Sequence, residues 1–206
     1  YGFPLWGVDV KIGSEMSRTK MVADNGVVGT LQTAMSSSKS VSEQNSYALF
    51  WDGYVRLKDF SFSLGLRAEH VNFNYYSNNR YNADASYTST LLYPSVVVSY
   101  TKGSNRVSLS YDYSVARPTY QQLNNSTSFV SDYVYKVGNP LLRSANIHKL
   151  GLVASLGRLK VTASGRYSHN HLLTSYFPLE QTDSVLVLRT FNLHTYKSLS
   201  LGVAYG

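Results

Sequence analysis

The sequence predicts an all-β chain: an antiparallel transmembrane β-barrel segment of about eight long strands, with long extracellular loops and short periplasmic turns. Three observations carry that prediction. Apolar and polar residues alternate with period two through most of the chain, and no helical period competes. The connections are alternately long and short, the habit of outer-membrane barrels. Strands commonly run beyond about 10 residues, against a mode of 5–6 in soluble sheets, with Tyr and Trp near the ends of the apolar face (Trp6, Tyr47, Tyr100, Tyr111, Tyr113, Tyr167, Tyr205).

Composition bounds the alternatives. The chain has 206 residues, enough for one large all-β domain, and residues 1–206 read as part of a single barrel domain. Only 15% are charged, against roughly 25% in an ordinary soluble domain. There is no Cys, which excludes disulfides and thiolate metal sites. No apolar run reaches the roughly 18 residues of a membrane helix, a test that barrel strands escape because they are apolar only at alternate positions. The net charge of +7 is spread over single Lys and Arg residues, so nucleic acid is not an expected partner. The chain opens at Tyr1-Gly2-Phe3-Pro4 and stops in mid-pattern at Tyr205-Gly206, and it reads as a piece of a longer protein.

In order, Val8, Val10 and Ile12 alternate with Asp9, Lys11 and Gly13, giving a strand to about Thr19. Residues 21–43 are rich in Ser, Gly and Asn and read as a long loop. Tyr47, Leu49, Trp51, Gly53, Val55 and Leu57 then alternate with Ala48, Phe50, Asp52, Tyr54 and Arg56. After a tight turn at Lys58-Asp59 comes the cleanest alternation, Phe60, Phe62, Leu64, Leu66 and Ala68 against Ser61, Ser63, Gly65, Arg67 and Glu69. Residues 77–86 form a second polar loop. Leu92, Val96, Val98 and Tyr100 share the next strand face, where Pro94 predicts a break or bulge because proline gives a ladder no N–H. A short turn at 102–105 leads into Val107, Leu109, Tyr111, Tyr113 and Val115.

Arg117-Pro118 ends that strand and opens the longest excursion, residues 117–146. Alternation resumes at Leu150, Leu152, Ala154 and Leu156, turns at Gly157-Arg158, and continues through Leu159, Val161, Ala163, Gly165 and Tyr167. A connection near 180–183, short where a long one is due, leads to a strand from about 184 to 205. Asp9, Asp52, Arg56, Arg67, Glu69, Asp112, Lys160 and Arg166 all fall on the polar face, which is the expected lumen.

The central loop brings a resemblance. Arg117-Pro118-Thr119-Tyr120-Gln121-Gln122-Leu123-Asn124, followed by Gly138-Asn139-Pro140-Leu141-Leu142, resembles the "RPsYxxLNP…GNPxL" pattern of TonB-dependent outer-membrane receptors, most like those of Bacteroidetes. Leu92-Tyr93-Pro94-Ser95 resembles that family's "LFPSl" strand opening, and Gly65-Leu66-Arg67-Ala68-Glu69 its "GLRyE" strand, in the same order and spacing. Arg143-Ser144-Ala145 departs from the usual "kPE" continuation, and Asn125 stands where the family has proline. The resemblance implies a segment of a barrel of about 22 strands. Such a barrel sits in the outer membrane of a Gram-negative bacterium among lipid and lipopolysaccharide. It imports a scarce nutrient (iron chelate, cobalamin or oligosaccharide) and is driven by the TonB complex through a plug domain outside these residues. It implies no enzymatic activity and no cofactor. The alternative is a complete small barrel with a structural or adhesive role.

Candidate ligand contacts, for a small molecule or glycan, are Arg117, Tyr120, Tyr133, Tyr135 and Asn139 in the long loop, where aromatic rings could stack on a sugar or an aromatic chelate. Each also has a structural reading: Arg117 as a strand stop facing the lumen, the tyrosines as loop packing, Asn139 as part of a turn. The lumen charges are Arg67, Glu69, Asp112 and Arg166, with Arg67 beside Glu69 and Asp112 expected to serve Arg117. The loop is expected to fold inward or over the barrel mouth. His169 and His171 share a strand face, but without Cys or a carboxylate at strand spacing no metal site is expected. There is no phosphate loop and no nucleophile–base constellation.

Overall fold

The computed structural model describes residues 2–5, 7–25, 38–124, 127–131, 133–179 and 182–206. The elements in chain order are β1 (Gly2–Leu5), β2 (Val8–Asn25), β3 (Ser38–Leu57), β4 (Phe60–Ser77), β5 (Arg80–Tyr81), β6 (Tyr87–Lys102), β7 (Asn105–Ala116), α1 (Tyr120–Leu123), β8 (Thr127–Ser131), β9 (Val134–Val137), β10 (Ala145–Leu156), β11 (Leu159–Leu179) and β12 (Thr182–Tyr205). They form one sheet in the order β1-β2-β3-β4-β6-β7-β10-β11-β12-β9-β8, with β5 beside β4. All neighbours are antiparallel except β9 on β12. Among the described residues β1 and β12 do not pair, so β2, β3, β4, β6, β7, β10, β11 and β12 form an open wall rather than a small closed barrel.

Register converts the period-two pattern into two faces. One row crosses the whole wall as Val10–Gly53–Leu64–Val96–Tyr111–Leu150–Gly165–Leu199. The adjacent row, on the opposite face, reads Lys11–Asp52–Gly65–Ser95–Asp112–Lys149–Arg166–Ser198. The first meets lipid and the second lines the lumen. A one-residue slip anywhere would exchange them.

The apolar band has clear limits. At the bottom, Leu57–Phe60–Tyr100–Val107 lie in one row, with the Phe60 and Tyr100 rings 4.9 Å apart. At the top, Met16–Tyr47–His70–Thr90 give way to Arg18–Asn45–Asn72–Thr88. Across the other half, Tyr113–His148–Tyr167–Lys197 mark the same limit, with His148 stacked 4.6 Å from Tyr113. On β4 this leaves residues 60–68 within the band, their even-numbered side chains facing lipid, in line with the roughly 9–11 residues that a tilted strand needs to cross a bilayer.

The turns below the band are tight. Lys58, Gly103 and Gly157 have φ of 53°, 59° and 60°, the left-handed geometry that two-residue hairpins require. Adjacent turns are tied together: Thr101 N–H donates to the Asp59 carbonyl (2.8 Å), and Gly157 N–H to Asn105 Oδ1 (2.9 Å).

Above the band, several expectations are corrected. The predicted loop 21–43 is strand at both ends, because β2 continues to Asn25 and β3 begins at Ser38; residues 26–37, with Val27 of the expected extracellular loop, lie outside the described residues. Loop 77–86 contains a hairpin through Asn78 and Asn79, both at positive φ, which pairs Arg80 with Ser77. Pro94 neither breaks nor bulges β6: the register to β4 runs straight through Leu66↔Pro94. Its effect falls on the other edge, where pairing with β7 stops at Ser95↔Asp112. Strands β11 and β12 form one long ribbon, pairing from Leu159↔Tyr205 up to Leu179↔Thr182; residues 180 and 181 of the expected short connection lie outside the described residues.

Candidate functional site

The inner face of β4 changes chemistry at Glu69. Below lie Ser61, Ser63, Gly65 and Arg67; above lie Val71, Phe73 and Tyr75, each no more than 2% exposed. The outer face does the reverse, passing from Leu66 and Ala68 to His70, Asn72 and Asn74. The exchange follows from the surroundings. Within the band the outside meets hydrocarbon and the inside meets water; above it the outside is wet and the inside is covered by protein.

The cover is the long loop. It leaves β7 at Arg117-Pro118 and makes one helical turn, α1, closed by a capping box. Thr119 Oγ1 accepts from Gln122 N–H, and Gln122 Oε1 accepts from Thr119 N–H at 2.8 Å. This turn places Leu123 against Phe73, Tyr75, Ala85 and Leu142, with Tyr87, Tyr120 and Leu172 around them. Gly138 passes so close to the Asn124 carbonyl that no Cβ would fit, and Asn139 N–H donates to the Gln122 carbonyl at 2.6 Å. Between these points the chain runs out as the β8–β9 hairpin, and β9 adds in parallel to the upper part of β12, Val134↔Leu186 to Val137↔Arg189. Asn192 then holds the Arg143 backbone from both sides, accepting from its N–H and donating to its carbonyl, each at 2.8 Å.

A charge network stands where the loop meets the wall. Arg117 Nη2 donates to Glu69 Oε2 at 2.7 Å and to the Tyr93 hydroxyl at 3.1 Å. Ser46 Oγ donates to Glu69 Oε1 at 2.8 Å. Arg67 pairs with Glu15 at 2.9 Å and reaches Glu69 only at 4.0 Å. Burial works against the charge on Arg117, but the Glu69 carboxylate outweighs it and carries the guanidinium pKa above its ordinary value. The expected Asp112–Arg117 pairing is corrected: Asp112 faces Lys149, its cross-strand neighbour in the lumen row, at 3.8 Å, while Arg117 is taken up by Glu69. Arg166 lies next in the Asp112–Lys149 row, with a buried Nε that has no hydrogen-bond partner among the described residues.

The other candidates separate. Tyr120 packs on the apolar cluster. Tyr135 is buried on β9 with its ring edge-on to Phe129, while Tyr133 is exposed at the hairpin. Asn139 has its side chain engaged inside the loop, accepting from Leu141 N–H at 3.1 Å. His169 meets the His194 ring at 4.8 Å and His171 stacks on Tyr196 at 4.5 Å. Among the described residues no group of three or more potential ligands is arranged for a metal. Sequence reasoning missed Ser46, Tyr93 and Glu15 as partners in the network. It also missed α1, although Thr119-x-x-Gln122 is a capping signature.

The model of the outer membrane protein beta-barrel family matches residues 7–205. The chain belongs to this family. It is therefore a protein of the Gram-negative outer membrane, and the apolar rows are its lipid-facing band. No curated protein matches the sequence. Among solved structures, similarity extends to the siderophore receptor PirA of Pseudomonas aeruginosa, with 14% identity, 96% of this chain and 46% of that one covered, and a TM-score of 0.42. It extends also to a mutant ferric enterobactin receptor (PfeA) of the same organism in complex with enterobactin, with 11% identity, 95% and 33% covered, and a TM-score of 0.47. The copper transporter OprC gives 12% identity, 97% and 40% covered, and a TM-score of 0.39. The chain thus spans less than half the length of each of these structures.

Proposed function

We propose that this family member is part of the barrel of a TonB-dependent outer-membrane transporter of the Bacteroidetes type, and that it imports a scarce nutrient such as an iron chelate, cobalamin or an oligosaccharide. One observation carries the reading. The stretch that carries the RP…Y…LN…GNP pattern is the one that folds the loop inward: Arg117 ties it to the wall, Leu123 packs in the apolar cluster, Gly138 and Asn139 close it, and Thr119 and Gln122 between the pattern residues cap its helical turn. A barrel with a purely structural role needs no such cover on its inner face. Tyr133 is exposed on that cover, and with Arg117 it is the best-placed candidate for a ligand arriving from outside. Lipid and lipopolysaccharide would surround the apolar band, and TonB would act through a plug domain outside these residues. The reading is transport rather than catalysis.

The test is growth of a strain lacking the gene on a panel of limiting iron chelates, cobalamin and oligosaccharides. A defect confined to one nutrient, restored by the wild-type gene, is the expected result. Growth equal to the parent on every member would defeat the transport reading.

A further inference from the structure

Two carboxylates and two guanidinium groups stand together on the inner face, and they are not equivalent. Glu15, Ala48 and Glu69 form one cross-strand row, and Arg67 lies in the row below, between Phe50 and Tyr93. The two acids are therefore two strands apart, about 10 Å, with only the small side chain of Ala48 between them. Arg67 reaches toward both: its Nη2 is 2.9 Å from Glu15 Oε2 and 4.0 Å from Glu69 Oε1. Glu69 is nearly buried, and its other oxygen takes Arg117 at 2.7 Å. The Glu15 side chain is 59% exposed. With Asp52, Arg67 and Tyr93 it lines a cavity of about 420 Å³ on the inner wall.

The balance of charge gives this arrangement its consequence. Glu15 holds Arg67, and Glu69 holds Arg117 and through it the base of the long loop. Among the described residues no other carboxylate lies within 4.0 Å of either guanidinium. When the charge of Glu15 is removed, or taken up by another cation, the acid left within reach of Arg67 is Glu69. Glu69 is then shared by two guanidinium groups that repel each other in a partly dry site, and its hold on Arg117 weakens. We propose that Glu15 is a positioning residue for the loop. By keeping Arg67 off Glu69 it keeps Arg117 latched, and a cationic group arriving at Glu15 from the lumen loosens the cover at the mouth. The state of the lumen is thereby conveyed to the loop through two ion pairs.

The test places a spin label on a cysteine at Gln121, which is exposed on α1, four residues from Arg117. It uses the full-length protein in lipid vesicles, with any cysteine elsewhere replaced by serine. No nutrient is needed, so the outcome is independent of the transport reading. Arg117→Ala supplies the spectrum of the released loop. Glu15→Gln should raise the mobile fraction of the label about threefold, toward that reference. Arg67→Ala should leave the spectrum as in the wild type. Combining Glu15→Gln with Arg67→Ala should restore it, because Glu69 again faces a single guanidinium. A contact that merely braced the wall would give the same change in both single variants, and combining them would reverse nothing. A wild-type spectrum for Glu15→Gln would overturn the proposal, as would a double variant as mobile as Glu15→Gln alone. An immobile label in Arg117→Ala would overturn it too, since the loop would then not hang on Arg117.

Discussion

At the scale of single residues, the sharpest contrast lies between neighbours on β4. Leu64 sits in the mid-band outer row and Ser63 in the lumen row beside it. Leu64→Arg should cost about 2–4 kcal/mol, the penalty for arginine on the lipid face near the midplane, and Ser63→Arg much less. Urea titration of folding into vesicles measures both, and equal costs would mean that the register is shifted or the band is not in lipid. A second prediction concerns the Arg117–Glu69 pair. Glu69 is nearly buried and holds Arg117, Ser46 and no other cation closer than 4.0 Å among the described residues. Losing one partner leaves a charged group poorly solvated, tempered here because the Arg117 side chain is 29% exposed. A double-mutant cycle of Arg117→Ala and Glu69→Gln should give a coupling of about 1–2 kcal/mol. A value near zero would make the pair incidental.

At the scale of elements, the loop is the part with consequences. Replacing residues between Asn124 and Val137 by a short Gly-Ser linker removes the β8–β9 hairpin but keeps α1 and the Gly138 turn. Assembly should survive, since closure entropy changes slowly with loop length, while nutrient uptake should fall. Unchanged uptake in a correctly assembled barrel would make the hairpin a connector only. The same elements show what the sequence can reveal. Strands β4, β7 and β10 were legible because lipid on one side and water on the other impose period two. Residues 21–25 and 38–43 were not: above the membrane β2 and β3 are wet on the outside, so the ladder continues while the hydropathy pattern fades. The inward fold of the loop was expected from its aromatic residues. Its partners were not, because Phe73 and Tyr75 lie some 50 residues earlier and on another strand. Arg117 was matched to Asp112 by proximity along the chain, and only the turn of Arg117-Pro118 into the lumen brings Glu69 within reach.

For the whole molecule, topology is the first test. Single cysteines at Asn79 and Ser128 should react with an impermeant reagent in intact cells, and those at Lys58, Gly103 and Gly157 should not; the chain has no cysteine of its own to confuse the readout. Labelling at Gly103 would invert the orientation. The open edges matter next. On β12, Leu199, Leu201, Val203 and Tyr205 are 74–77% exposed, and below Arg189 no strand pairs with its free edge among the described residues. Another strand can therefore join β12 from about Thr190 downward, since β9 occupies the ladder at residues 186–189. That parallel pairing also has a bearing on time. The ladders of the spanning strands form mostly between chain neighbours, as at Leu57↔Phe60 and Leu156↔Leu159, and can zip hairpin by hairpin. Leu186↔Val134 joins positions about 50 apart and needs β12 already in place. Contacts of long sequence separation are slow to form, so the mouth should close last. During biogenesis the barrel would pass through a stage in which the wall is complete and the lumen still stands open to the outside.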